Sequence, residues 1–193
     1  MSSLATKLTV WWLHRRANAA LIFKRDQQAI ETYREMAAVD PGNAFALLMI
    51  ANLLAEAGDH AKAVDVLRQL TALHPDHADG WFNLGFLLDK TDQLAEAERC
   101  FRRAVELRPS LDRAWYGLGL VLIREGRLDE AIDALKQNIK LQPFSPYGYY
   151  QLGMTYHHLG RGEDSWRVHE QLAGFEPRFS ATLKRDLERT PSR

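Results

Sequence analysis

His74 and His77 flank Asp76, and two imidazoles beside a carboxylate are a combination that can ligate a divalent metal. Two histidines without further ligands make a poor zinc site, and polar residues in such a turn are read instead as caps of the next helix. His157 and His158 are adjacent, which on a helix splays their side chains by about 100° and keeps them from sharing an ion. No metal is expected. Cys100 stands beside Phe101 with Arg99, Arg102 and Arg103 nearby, a setting that lowers a thiol pKa. Its simpler reading is an unreactive surface thiol. Gly117 and Gly119 imitate part of a dinucleotide fingerprint, but the pattern around them is helical and no strand precedes it. No nucleophile, base and orienting partner occur together, and there is no phosphate loop. Neither an enzyme nor a cofactor is expected.

The composition narrows the remaining classes. Apolar residues make up 46% of the chain and charged residues 26%, which are globular values. Lys plus Arg and Asp plus Glu are balanced at 25 each, so the electrostatic footprint of a dedicated nucleic-acid binder is missing. One cysteine cannot form an intrachain disulfide and fits a reducing compartment. Residues 8–23 are rich in apolar and aromatic side chains, yet Arg15 and Arg16 interrupt them and Lys24 and Arg25 follow, the reverse of the charge order in a signal peptide. A soluble, cytoplasmic chain is expected.

The elements that position these residues come from a repeat. Pro41, Pro75, Pro109, Pro143 and Pro177 fall 34 residues apart without an insertion. Each follows a helical apolar pattern that proline cannot continue, because it lacks the amide hydrogen and clashes with the preceding turn. Turn signals recur midway at Gly58, Thr91-Asp92, Gly126 and Gly160, so each unit is a helix hairpin. Aligned on the prolines, the units are 44–77, 78–111, 112–145 and 146–179. Their fourth column reads Leu47, Trp81, Trp115, Tyr149, and the seventh and eighth read Ile50-Ala51, Leu84-Gly85, Leu118-Gly119, Leu152-Gly153. The eleventh is Leu54, Leu88, Leu122, Tyr156. In the second helix Ala63, Ala97, Ala131 and Ser165 supply a small contact, followed four residues later by Leu67, Phe101, Leu135 and His169, of which only His169 strains the pattern.

These columns resemble the tetratricopeptide repeat, a signature of tryptophan, leucine-glycine, tyrosine, alanine, phenylalanine and proline positions, and residues 78–111 match it best. The resemblance implies an all-α fold: a right-handed α-solenoid of helix hairpins of the kind used by short bacterial scaffolds and adaptors. Upstream, the same register gives a degenerate or displaced first repeat within residues 1–43. Its second helix fits through Ala29, Tyr33 and Met36, whereas Leu13 and Arg16-Ala17 depart from the signature in the first. Residues 180–193 are read as a C-terminal capping helix, with Phe179, Leu183 and Leu187 spaced along one face and a frayed tail at 190–193.

Columns four, seven, eight and eleven of each first helix share a face and build the core, while columns two, five, six, nine, twelve and thirteen point away from it. The resemblance implies that this second face lines a concave groove where peptides or helices lie. It carries Phe45, Leu48, Met49 and Asn52 in one repeat and Phe82, Asn83 and Phe86 in the next. Arg113, Tyr116, Leu120 and Arg124 follow, then Tyr147, Tyr150, Gln151, Met154 and His158. So apolar a surface marks an interaction site for a protein partner, an extended peptide or amphipathic helix with aromatic and aliphatic anchors. The alternative is that neighbouring helices cover part of the stripe. The two-carboxylate clamp of co-chaperones in this family is not expected: Asn52 and Asn83 match it and Arg113 substitutes for a lysine, but Leu48 and Gly117 stand where two other clamp residues belong.

Two further partners are open for the N-terminal segment. Trp11, Trp12, Leu13 and Leu21 can dock into another copy's groove and build a homo-oligomer. Lys7, Arg15, Arg16, Lys24 and Arg25 beside the two tryptophans, with no acidic residue among the first 25, also suit an anionic membrane surface, as in a membrane-associated assembly factor.

Overall fold

The computed structural model describes residues 4–189, so the tail read at 190–193 lies outside the described residues. Among the described residues the chain is all-α. Its helices are α1 (Leu4–Ile22), α2 (Asp26–Val39), α3 (Ala44–Glu56), α4 (His60–Leu73) and α5 (Ala78–Lys90), then α6 (Leu94–Leu107), α7 (Asp112–Arg124), α8 (Leu128–Leu141), α9 (Pro146–His158), α10 (Gly162–Ala173) and α11 (Pro177–Arg189). They divide after Gln93 into two compact units. In the first, α1 to α4 each pack on the helix that follows; in the second, α6 to α10 do the same, and α11 also reaches back to α9.

Each turn between a first and a second helix needs one residue at positive φ. Gly58 (φ 82°), Gly126 (φ 77°) and Gly160 (φ 71°) adopt it without a Cβ, whereas Asp92 (φ 63°) and Lys24 (φ 54°) adopt it with one. Lys24 stands 34 residues before Gly58, so the turn period runs into the first hairpin. There α1 buries Leu13, Ala17 and Ala20, at the fourth, eighth and eleventh positions of a unit counted from residue 10. Arg16 sits at the edge of this contact, donates from Nε to Thr32 (3.3 Å) and pairs with Glu35.

The aromatic and proline columns are joined by hydrogen bonds. Trp81 Nε1 donates to the Pro75 carbonyl (3.1 Å), Trp115 Nε1 to Pro109 (2.9 Å) and the Tyr149 hydroxyl to Pro143 (3.1 Å). Proline ends a helix and its own carbonyl then anchors the next one. Leu47 has no such donor; in that turn a His74 ring nitrogen lies 2.6 Å from the Gly42 carbonyl. Pro177 behaves differently from the stop signal expected of it. It opens α11 at a helical position where no amide donor is needed, so that helix begins three residues before the expected 180.

Small residues set the spacing between helices. A Cβ on Gly119 of α7 would stand 2.9 Å from Leu135 Cγ of α8, and one on Gly117 would stand 2.6 Å from Phe101 Cζ of α6. In the last hairpin Ser165 Oγ donates to the Gly153 carbonyl at 2.9 Å. The core face is wider than the four columns anticipated. Column three (Ala46, Gly80, Ala114, Gly148) and column ten (Leu53, Leu87, Val121, Thr155) are buried as well. Cys100, expected at the surface, is buried on α6 and acts there as a small apolar side chain. His169 is half-buried, edge-on to Trp166 at 5.1 Å, and Val168 and Leu172 fill the core of α10 in its place.

Candidate functional site

In the first unit the candidate face is carried by α3 and α5, with α1 and α2 at its edge. Phe45, the second residue of α3, stays 45% exposed while its ring meets His14 (5.0 Å) and Tyr33 (6.0 Å) edge-on. Leu48 and Met49 are half-buried. Asn83 Nδ2 donates to Asn52 Oδ1 at 3.0 Å, so the two asparagines that match the carboxylate clamp are engaged with each other. Phe82 is a correction to the expected open face: it is buried, with Phe86 stacked against it at 6.4 Å. Phe86 remains 45% exposed, and the Lys90 ammonium lies 4.8 Å from its ring centroid. An aromatic ring with a cation over it is thereby presented at the surface.

In the second unit the face is carried by α7 and α9. Asp112, Arg113, Tyr116, Asn138, Ser145 and Tyr147 line a pocket of about 410 Å³. Its floor is Asn138, a buried amide of α8 whose Nδ2 donates to the Asp112 carbonyl at 3.0 Å. Gly148 is what admits that side chain, because any Cβ there would collide with Asn138 Oδ1. Tyr147 is 58% exposed and edge-on to Phe179 at 5.3 Å, and Arg113 is exposed at the rim. Burial pushes the Tyr116 phenol above its ordinary pKa, with a hydrogen bond from Gln151 opposing it, so at neutral pH it is a neutral hydroxyl. The pocket therefore offers ring faces for an apolar side chain, hydroxyls and a guanidinium.

Elsewhere the expected face is covered. The Tyr150 hydroxyl donates to Asp186 of α11 at 2.8 Å, and Met154 packs with Tyr150 against the cluster of Leu172, Leu183 and Leu187. Both were expected to be open; the C-terminal helix occupies the space in front of them. Leu120, Gln151 and His158 are half-buried and Arg124 is exposed. The remaining polar candidates have structural partners. His77 Nδ1 accepts from the Gly80 amide at 2.9 Å and caps α5, and the rings of His157 and His158 are tilted 6.3 Å apart. Among the described residues no three His, Cys, Asp or Glu side chains gather as a metal site would require, and no helix is long and apolar enough to cross a membrane.

The residues that sequence reasoning missed are Asn138, Asp112 and Ser145. The legible signal was glycine in column three at position 148, facing a polar residue where the other second helices carry Leu70, Ala104 or Leu172.

Over residues 4–176 the chain matches the family described as the cilia and flagella-associated protein 70 C-terminal domain, a tetratricopeptide-repeat family. The chain belongs to it. Solved structures show the same fold. One MamA protein superposes with a TM-score of 0.81 at 22% identity, covering 90% of this chain and 94% of that one. MamA from Desulfovibrio magneticus RS-1 gives 0.75 at 22% identity, covering 92% and 96%. YrrB, described as a tetratricopeptide-repeat protein with an unusual peptide-binding site, gives 0.76 at 23% identity and covers 88% of each chain. No protein with a curated description matches the chain. This tetratricopeptide-repeat membership and fold carry with them a role in protein–protein interaction.

Proposed function

We propose that the chain is an adaptor that holds a segment of another protein on the outward face of its first helices. The observations that carry this are Phe45 and Phe86 on the face of the first unit and, separately, Tyr147 on that of the second, each close to half exposed or more. Large aromatic side chains left in water at spaced positions are anchors for a partner, because burying each one on binding releases apolar surface from water. The pocket beside Tyr147 supplies what a peptide backbone or carboxylate needs through Arg113 and Tyr116, and YrrB, described as having an unusual peptide-binding site, lends the reading support by analogy. The partner is an extended or helical segment with apolar anchors, and the single buried thiol fits work in the cytoplasm.

The experiment replaces Phe86 with Ser in one variant and Tyr147 with Ser in another. Both side chains are exposed, so helicity should be retained, while capture of wild-type partners falls at least about tenfold. Partner capture unchanged in both variants would move the site to another surface.

A further inference from the structure

The outward face of α1 is not accounted for by the groove. Leu13, Ala17 and Ala20 of this helix pack inward, and at about 100° per residue Leu4, Leu8, Trp11, Arg15 and Ile22 lie in one arc on the opposite side. The apolar members of that arc are 57–77% exposed, and Trp12 beside them is 55% exposed. The helix has 19 residues, so the stripe runs for about 28 Å, and it is apolar on both faces while only one is packed. Charge is segregated here too: Lys7, Arg15, Arg16, Lys24 and Arg25 precede the first acidic residue, Asp26, in a chain that is neutral as a whole.

We propose that this face of α1 binds anionic lipid surfaces, lying in the plane of the interface. Charge complementarity selects the occupant. The exposed Arg15 guanidinium lies 5.2 Å from the Trp11 ring, so cation and indole project together, as they do at the boundary between headgroups and acyl chains, while Arg16, 5.4 Å from Trp12, is held at the edge of the face by Glu35. The face is one convex helix, and a bilayer interface deforms around such a ridge. A second copy is a poor occupant. Pairing α1 with α1 opposes like charges, and the other terminal helix, α11, exposes Arg178, Lys184, Arg185 and Arg189 with only Glu188 among its exposed acids.

The test is flotation of the full chain with vesicles of 30% phosphatidylserine and 70% phosphatidylcholine, against pure phosphatidylcholine. The chain should float with the anionic vesicles alone. Removing two charges in a K7Q/R15Q variant should lower partitioning about 30-fold, since each basic residue near such a surface contributes roughly fivefold. A W11Q/W12Q variant with wild-type far-UV circular dichroism should not float. No flotation with anionic vesicles at low salt overturns the proposal, as does flotation that the tryptophan variant leaves intact. A lipid-free dimer abolished by W11Q/W12Q, without vesicle binding, would instead assign the face to contact between copies.

Discussion

Shortening Leu183 to Ala tests how the last first helix is covered. Leu183 is fully buried, and its Cδ2 lies 2.8 Å from where a Cβ on Gly153 would stand. Besides Leu183, α11 buries only Ser180 and Leu187, so most of its docking depends on this side chain. Large-to-small changes at buried leucines cost about 3 kcal/mol, which raises the fraction of molecules with α11 undocked roughly 150-fold. Because α11 packs on α10 and α9 and on no earlier helix of its unit, the loss should stay local. Native-state hydrogen exchange would read it: amides of α11 should exchange about 100-fold faster while those of α7 and α8 keep their protection. The same undocking frees Tyr150 and Met154. Uniform acceleration across α6 to α11 would refute the reasoning by showing that α11 is not a separable lid.

Three further outcomes follow from the packing. The Tyr150 hydrogen bond, helped by Arg185, holds the Asp186 carboxyl below the ordinary aspartate range. A depressed carboxyl contributes to α11 docking at pH values above its unfolded pKa, and the contribution disappears as pH falls through the lowered value. Tyr150→Phe should move the Asp186 titration upward when followed by carboxyl-carbon NMR. Gly117→Ala gains about 1 kcal/mol of helix propensity but drives a methyl group into the Phe101 ring at a cost of about 1–3 kcal/mol, so urea unfolding should show no net gain and a loss of up to about 2 kcal/mol. Lys24→Gly relieves a non-glycine residue from left-handed backbone and should raise stability by about 0.5–1 kcal/mol in the same assay.

Much of the fold was legible because its determinants are local. A proline every 34 residues, small residues in column eight and a left-handed turn residue at Gly58, Gly126 and Gly160 are each decided within one hairpin. Lys24 hid the first turn, since lysine gives no sign of positive φ. Exposure of the candidate face was harder to read because it depends on which neighbour lies in front of each side chain. Tyr150 and Met154 look open in their own repeat, yet they are covered by α11, whose start was obscured by Pro177 opening a helix. Cys100 was misjudged for a related reason: its arginine neighbours in sequence point away while the thiol faces the core.

Site-directed photo-crosslinking in the source cell tests the central claim most directly. A photoreactive phenylalanine analogue would replace Phe86 or Tyr147 on the candidate face, and Gln137 on the exposed side of α8 as the control. Discrete crosslinked partner proteins are expected from positions 86 and 147 and none from 137. Crosslinks from 137 alone, or equal labelling at all three, would contradict the central claim.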